Sequence, residues 1–252
     1  MANNVINIFK TDPDAAPKKR QFSDDIAGRF RSGRLVGKMP ESLNTWRVTT
    51  GDPSVADELA KLLGGEPEEW DTDKEDNLEV LTTSASVAII IESSDKIDAS
   101  MKLFGNSGLI HHCDGVNFLS PEEDKGDACG CPPLLQDRKD KARSGRGPKP
   151  SIDVVFRLED APDLGLFRFN SGSWELVKVL HEVIEDVDKH SGRLFDADGN
   201  VTDAGVPVRA TLTIEHVSYT TKAGRDVAYN KPVIKVLGAA SAAQPTGMLK
   251  AA

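Results

Sequence analysis

Five residues of this chain have the types and spacing that soft-metal chemistry requires. His111, His112 and Cys113 are consecutive, and Cys129 and Cys131 flank Gly130 after an interval of fifteen residues. The group gathers all three cysteines of the chain. Three thiolates and one imidazole make a closed tetrahedral set for a structural zinc ion, whereas a catalytic zinc needs an open coordination position and a nearby general base, for which Asp114 is the only close candidate. The spacing departs from the C-x-x-C knuckle, and cysteines are also buried simply as small hydrophobes, so metal binding is weighed against that plainer use. If Leu109 to Cys113 is extended, residues two apart share a face, and His111 is then better placed than His112 to join Cys113; both stay open as the fourth ligand. Three cysteines cannot all pair with one another, and in a reducing compartment a cysteine cluster argues for metal before disulfide.

A second feature is electrostatic. Arg138, Lys139, Lys141, Arg143, Arg146 and Lys149 are six of the twelve residues from 138 to 149, opposed only by Asp140. A solvated linker is the ordinary reading of such a run, and contact with a partner or with phosphate is the sharper one. Across the whole chain 31 basic residues face 40 acidic ones, a net charge of −9, which disfavours non-specific coating of nucleic acid.

Other patterns fail letter by letter. Gly28 to Leu35 resembles a phosphate loop until its last two positions, where Arg34 and Leu35 replace the required Lys and Ser or Thr. Asp196, Asp198 and Asn200 begin like a calcium loop, but Val201 stands where Gly is needed and Pro207 where Glu is needed. Neither Ser107 nor Ser171 sits in a G-x-S-x-G elbow. No catalytic residue is assigned.

The elements that must position these residues follow from periodicity. Hydrophobic residues make up 38% of the chain and charged residues 28%; no apolar run approaches the roughly 20 residues that span a bilayer, and the most apolar stretch, Val87 to Ile91, is strand-sized. The amino terminus lacks the apolar region of a secretory signal, so the expected location is the cytoplasm, with no membrane partner. Residues 1–40 read as a partly ordered arm with a short helix around Asp24 to Arg31. Residues 41–135 read as a β-rich part carrying the zinc-type cluster, with Leu78 to Leu81 and Val87 to Ile91 as paired strands. Within it a helix begins at Pro53, capped by Asp52, and Met101 to Phe104 pairs with Leu109 to His112. Residues 136–150 read as a basic linker or loop. Residues 151–238 form an α+β part in which Ser173 caps a long helix and a C-terminal hairpin follows, with a bulge near His216; residues 239–252 read as a flexible tail. The expected fold class is therefore α+β and β-rich, with the long helix packed on late antiparallel strands and a structural zinc in the first part. The two parts can share one core.

Several segments, in order, resemble the recombination directionality factors that partner large serine integrases in actinobacterial phages. They are NIFKTDPDAAP, GRFRSG, LNTWRVTTGDP, GLIHHCDGV with LSPEEDKG and CGCP, GRGPKPSIDVVFRL, GSWELVKVLHEV and YNKPVIKVLG, spanning Asn7 to Gly238. The resemblance implies a non-enzymatic partner protein with no small-molecule substrate. Such a factor binds integrase on its attachment sites, near the integrase's coiled-coil region, activates excision (attL with attR) and inhibits integration (attP with attB), and meets DNA only through integrase. The rival expectation is a zinc-containing excision factor that binds site DNA directly.

Overall fold

Alternating apolar residues make strands, and most of the alternation in this chain ends in one sheet. The structure is a computed structural model describing residues 26–240, apart from residues 38, 71, 73, 74, 197 and 223 and the side chain of Pro40. Residues 1–25 of the expected arm and 241–252 of the expected tail lie outside the described residues.

In chain order the elements are β1 (Ile26–Val36), β2 (Met39–Thr50), α1 (Pro53–Leu63), β3 (Pro67–Glu69), β4 (Leu78–Leu81), β5 (Ser86–Ile91), β6 (Ile97–Gly105), β7 (Gly108–Cys113) and β8 (Phe118–Ser120). There follow α2 (Leu135–Arg143), β9 (Lys149–Leu158), β10 (Leu166–Ser171), α3 (Trp174–Ser191), β11 (Leu194–Phe195), β12 (Val201–Asp203), β13 (Val208–Thr220) and β14 (Asp226–Ala239). The main sheet runs β14-β13-β5-β9-β10-β1-β2-β4-β3. One edge of β9 is shared: its end meets β5 at Leu158 and Ile89, while its beginning meets β6 from Val154 to Lys149. β6, β7 and β8 then extend away as a meander. Only β1 with β10 is parallel among the paired strands of this sheet.

The buried face is aromatic. Phe30, Trp46, Phe156, Phe167 and Phe169 are almost wholly inaccessible, and Phe30 stands edge-on to Trp46 and Phe167 at 5.7 and 5.8 Å between ring centroids, a favoured arrangement of ring quadrupoles. The Trp46 indole N–H donates to the Ala85 carbonyl at 3.1 Å, so its polar end is satisfied too. α3 begins at Ser173, whose hydroxyl accepts the Leu176 N–H, and it lays Leu176, Leu180, Val183 and Val187 onto β14, β13 and β9. α1, opened by Asp52 and Pro53, lays Val55, Ala56, Leu59 and Leu63 inward over β2 and β4. The protein is thus β-rich α+β with the long helix on late strands. Residues of 41–135 and of 151–238 join one hydrophobic cluster. Among the described residues no helix is long and apolar enough to cross a membrane.

Four local expectations differ from the structure. Residues 26–31 are the start of β1, not a helix: Ile26, Gly28 and Phe30 face inward, and Gly28 hides the alternation because it has no side chain, while an added Cβ would meet the Phe167 ring at 3.0 Å. β4 and β5 do not pair; β4 lies between β2 and β3, and β5 between β13 and β9. The basic segment contains α2 and the start of β9 instead of running on as a linker. The β13–β14 ladder stays in register through His216, and its irregularity falls at Arg209 and Ala210. The phase change at Val217 and Tyr219 marks the half of the hairpin that leaves the core, where Tyr219 is exposed.

Candidate metal centre

Each ligand candidate arrives on a piece of chain held by its own backbone bonds. In the β6–β7 hairpin Met101 lies opposite Cys113 and Leu103 opposite His111, so His111 and Cys113, two apart, project from one face. The chain then turns sharply. The Asp114 carboxylate accepts the Val116 and Asn117 N–H groups, both at 2.7 Å, and those bonds hold its carboxyl below the ordinary range. The returning strand is stitched by Phe118 N–H to Asp127 O, Gly126 N–H to Phe118 O and Cys129 N–H to Val116 O, at 2.8 to 3.0 Å. That register sets Cys129 and Cys131 beside Cys113.

The result is a tight set of donors. Ligand atoms of His111, Cys113, Cys129 and Cys131 all lie within 4.8 Å of one another and could hold a metal ion. Cys113 Sγ stands 3.8 Å from Cys131 Sγ, which stands 3.5 Å from His111 Nε2. His112 projects from the other face, with Nδ1 3.0 Å from the Ser120 hydroxyl. Met101, Phe118 and Trp174 form an apolar floor around the thiols. Burial pushes the Cys113 thiol up to about 12 and raises Cys131, with Cys129 adding to the effect. Burial opposes the Cys129 thiolate as well, but the Cys131 N–H, the neighbouring thiols and the Arg138 charge outweigh it and bring Cys129 below its ordinary value. Burial lowers His111, helped by His112, which keeps the imidazole neutral and able to coordinate.

The six basic residues divide in two. Arg138 turns inward and ties the two limbs of the cluster together, donating from Nε to Pro132 O at 2.5 Å and from Nη2 to Gly115 O at 2.8 Å. Gly115 has φ +102°, a conformation that favours glycine, and a Cβ there would lie 2.7 Å from the Arg138 guanidinium and displace it. Lys139 reaches Glu175 of α3 at 3.4 Å. Lys141, Arg143, Arg146 and Lys149 are exposed, Arg143 with Asp140 beside it at 3.3 Å. Sequence reasoning found the donors by residue type; it missed Arg138, Met101 and Trp174 as supports, because nothing in their types distinguishes a clamp or a floor from surface and core. The calcium-like segment is a turn, with the Asp196 carboxylate accepting the Asp198 and Asn200 N–H groups.

No solved structure matches the chain. The model of a family described as Gp3-like, recombination directionality factor-like, matches residues 26–221. That span runs from the first described strand through the candidate metal centre and α3 to the end of β13 and covers more than three quarters of the chain. The family is regulatory and not catalytic, and on this match the chain belongs to the Gp3-like family of recombination directionality factor-like proteins.

Proposed function

We propose that this protein binds a large serine integrase already seated on its attachment sites and switches it from integration to excision. What carries the reading is the family match over residues 26–221. The protein acts without bond chemistry of its own, in the bacterial cytoplasm; the integrase supplies the serine nucleophile. The factor shifts a population. A ligand moves the balance between productive and autoinhibited integrase arrangements only through differential affinity for them, and moving it from mostly one to mostly the other needs about 5.5 kcal/mol. An interface of ordinary size, roughly 1,600 Å², is sufficient for that. The integrase's coiled-coil region is the expected contact, and DNA is met through integrase.

The metal centre serves this function by holding β6, β7 and the loop to Cys131 in one shape, and zinc is the ion that suits it. A tetrahedral zinc with bonds of about 2.3 Å to sulfur and about 2.05 Å to nitrogen implies donor separations of about 3.8 Å between sulfurs and about 3.6 Å between sulfur and nitrogen. Cys113 to Cys131 and Cys131 to His111 match these at 3.8 and 3.5 Å, and all four ligand atoms lie within 4.8 Å of one another. Elemental analysis of the purified protein is expected to give one zinc per chain, lost in Cys129→Ser and kept in His112→Ala.

The test of the function is recombination in vitro by the cognate integrase on hybrid and original site pairs. Adding the protein is expected to activate the hybrid pair and suppress the original one; no response in either sinks the reading. A second reading, direct binding of site DNA, draws on the exposed Lys141, Arg143, Arg146 and Lys149. It requires salt-dependent binding to bare DNA without integrase.

A further inference from the structure

Where the inner face of the sheet carries phenylalanines, the outer face carries arginines. Phe30 points inward, so Arg29 and Arg31 point outward. Arg31 lies opposite Arg47 of β2, and Arg29 opposite Arg168 of β10, which sets four guanidinium groups on three adjacent strands. Asp76 pairs with Arg29 and Glu79 with Arg47, each at 2.5 Å, and Arg47 also lies 4.5 Å over the Trp70 ring.

Arg31 differs from Arg29 and Arg47. Its Nε is buried with no hydrogen-bond partner, and among the described residues no carboxylate pairs with it. Burial, then Arg47 and Arg29, push its pKa below the ordinary value, with Asp76 acting the other way. A half-buried cation between two like charges is unfavourable until an anion occupies its fork. Space for one is present: Arg31 lines a groove of about 940 Å³. Among the described residues the other charges in its wall are matched, Arg34 with Glu41 at 2.6 Å and Arg47 with Glu79. One negative charge therefore completes it. The remaining wall includes Trp70 and leads to Leu35 and Val36, which are 71% and 55% exposed.

We propose that this groove binds an acidic and apolar segment of a partner protein, with one carboxylate on Arg31 and apolar side chains on Trp70, Leu35 and Val36. A DNA backbone suits it poorly, because successive phosphates would meet Glu41 and Glu79, and the chain's net charge of −9 repels a polyanion. The proposal stands apart from the integrase reading, since its test uses no integrase.

The test is a titration of the full-length ¹⁵N-labelled protein, followed at the arginine Nε–H resonances. The probes are the peptide acetyl-Leu-Leu-Glu-Leu-amide, the same peptide with Gln for Glu, and a twelve-base-pair DNA duplex. The Arg31 resonance is expected to shift with the Glu peptide, which binds at least about tenfold more tightly than the Gln peptide. Arg31→Gln loses the difference, and Arg31→Lys keeps part of it. Equal response to the two peptides, or none, overturns the proposal, and so does a response to the duplex alone. If Arg31→Gln does not fold, the two peptides on the unaltered protein decide by themselves.

Discussion

Arg138 braces the candidate metal centre without being one of its four donors. Its two donated hydrogen bonds span from Gly115, just after Cys113, to Pro132, just after Cys131, so it fixes the distance between the two limbs that carry the thiols. Partners that orient ligands in this way typically affect metal affinity by 10- to 100-fold. If the cluster holds zinc as proposed, Arg138→Ala is expected to weaken its binding by roughly that factor while leaving all four donors in place, measured by competition with a chelating dye. Lysine should rescue little, because a single ammonium cannot reach both carbonyls as the planar fork does. This residue marks the limit of what was legible at this scale. Cysteine and histidine announce themselves by type, and the period of two in an extended strand favours His111 over His112. Arg138 stood among five other basic residues with identical credentials, and only the folded turn at Gly115 separates it from them.

Helices and strands with their own capping or alternation could be read in advance. α3 shows Ser173 before a stripe of Leu176, Leu180, Val183 and Val187, and β13 alternates Val208, Ala210, Leu212 and Ile214. α2 could not, because it buries only Ala142 and has no apolar stripe. Contacts with other elements place it: Arg138 against the metal loop, and Lys139 against Glu175 at the start of α3. Glu175 also pairs with Lys178 at 2.8 Å, and Lys178 first, then Lys139, hold its carboxyl below the ordinary value of 4.5 despite some burial. A depressed carboxylate contributes stability above its unfolded value that is lost as pH falls through its folded value. Because Glu175 is 37% exposed, solvent screening keeps that contribution small, no more than about 0.5 kcal/mol. Chemical denaturation should show Glu175→Gln less stable by up to that amount at pH 7, the difference shrinking as pH falls below the ordinary carboxylate value and through the depressed one.

The molecule as a whole is knitted by strand pairs distant in sequence. β2 has β1 on one side, β5 lies between β13 and β9, and β6 leans on β9, so 41–135 draws part of its sheet hydrogen bonds from outside itself. Expressed alone, that segment is expected to show no cooperative thermal transition by circular dichroism, whereas 26–240 should melt as one unit; an independently folding 41–135 would refute the shared core. The parallel pairing of β1 with β10 carries this further, into the order of events during synthesis. Ile26 pairs with Leu166, 140 positions later. At about 5 to 20 residues per second, the first strand leaves the ribosome on the order of ten seconds before its partner exists. Pairing of such high contact order makes folding slow. The nascent chain therefore spends that interval with the centre of its sheet unbuilt, and the native state is reached only after most of the protein has been translated.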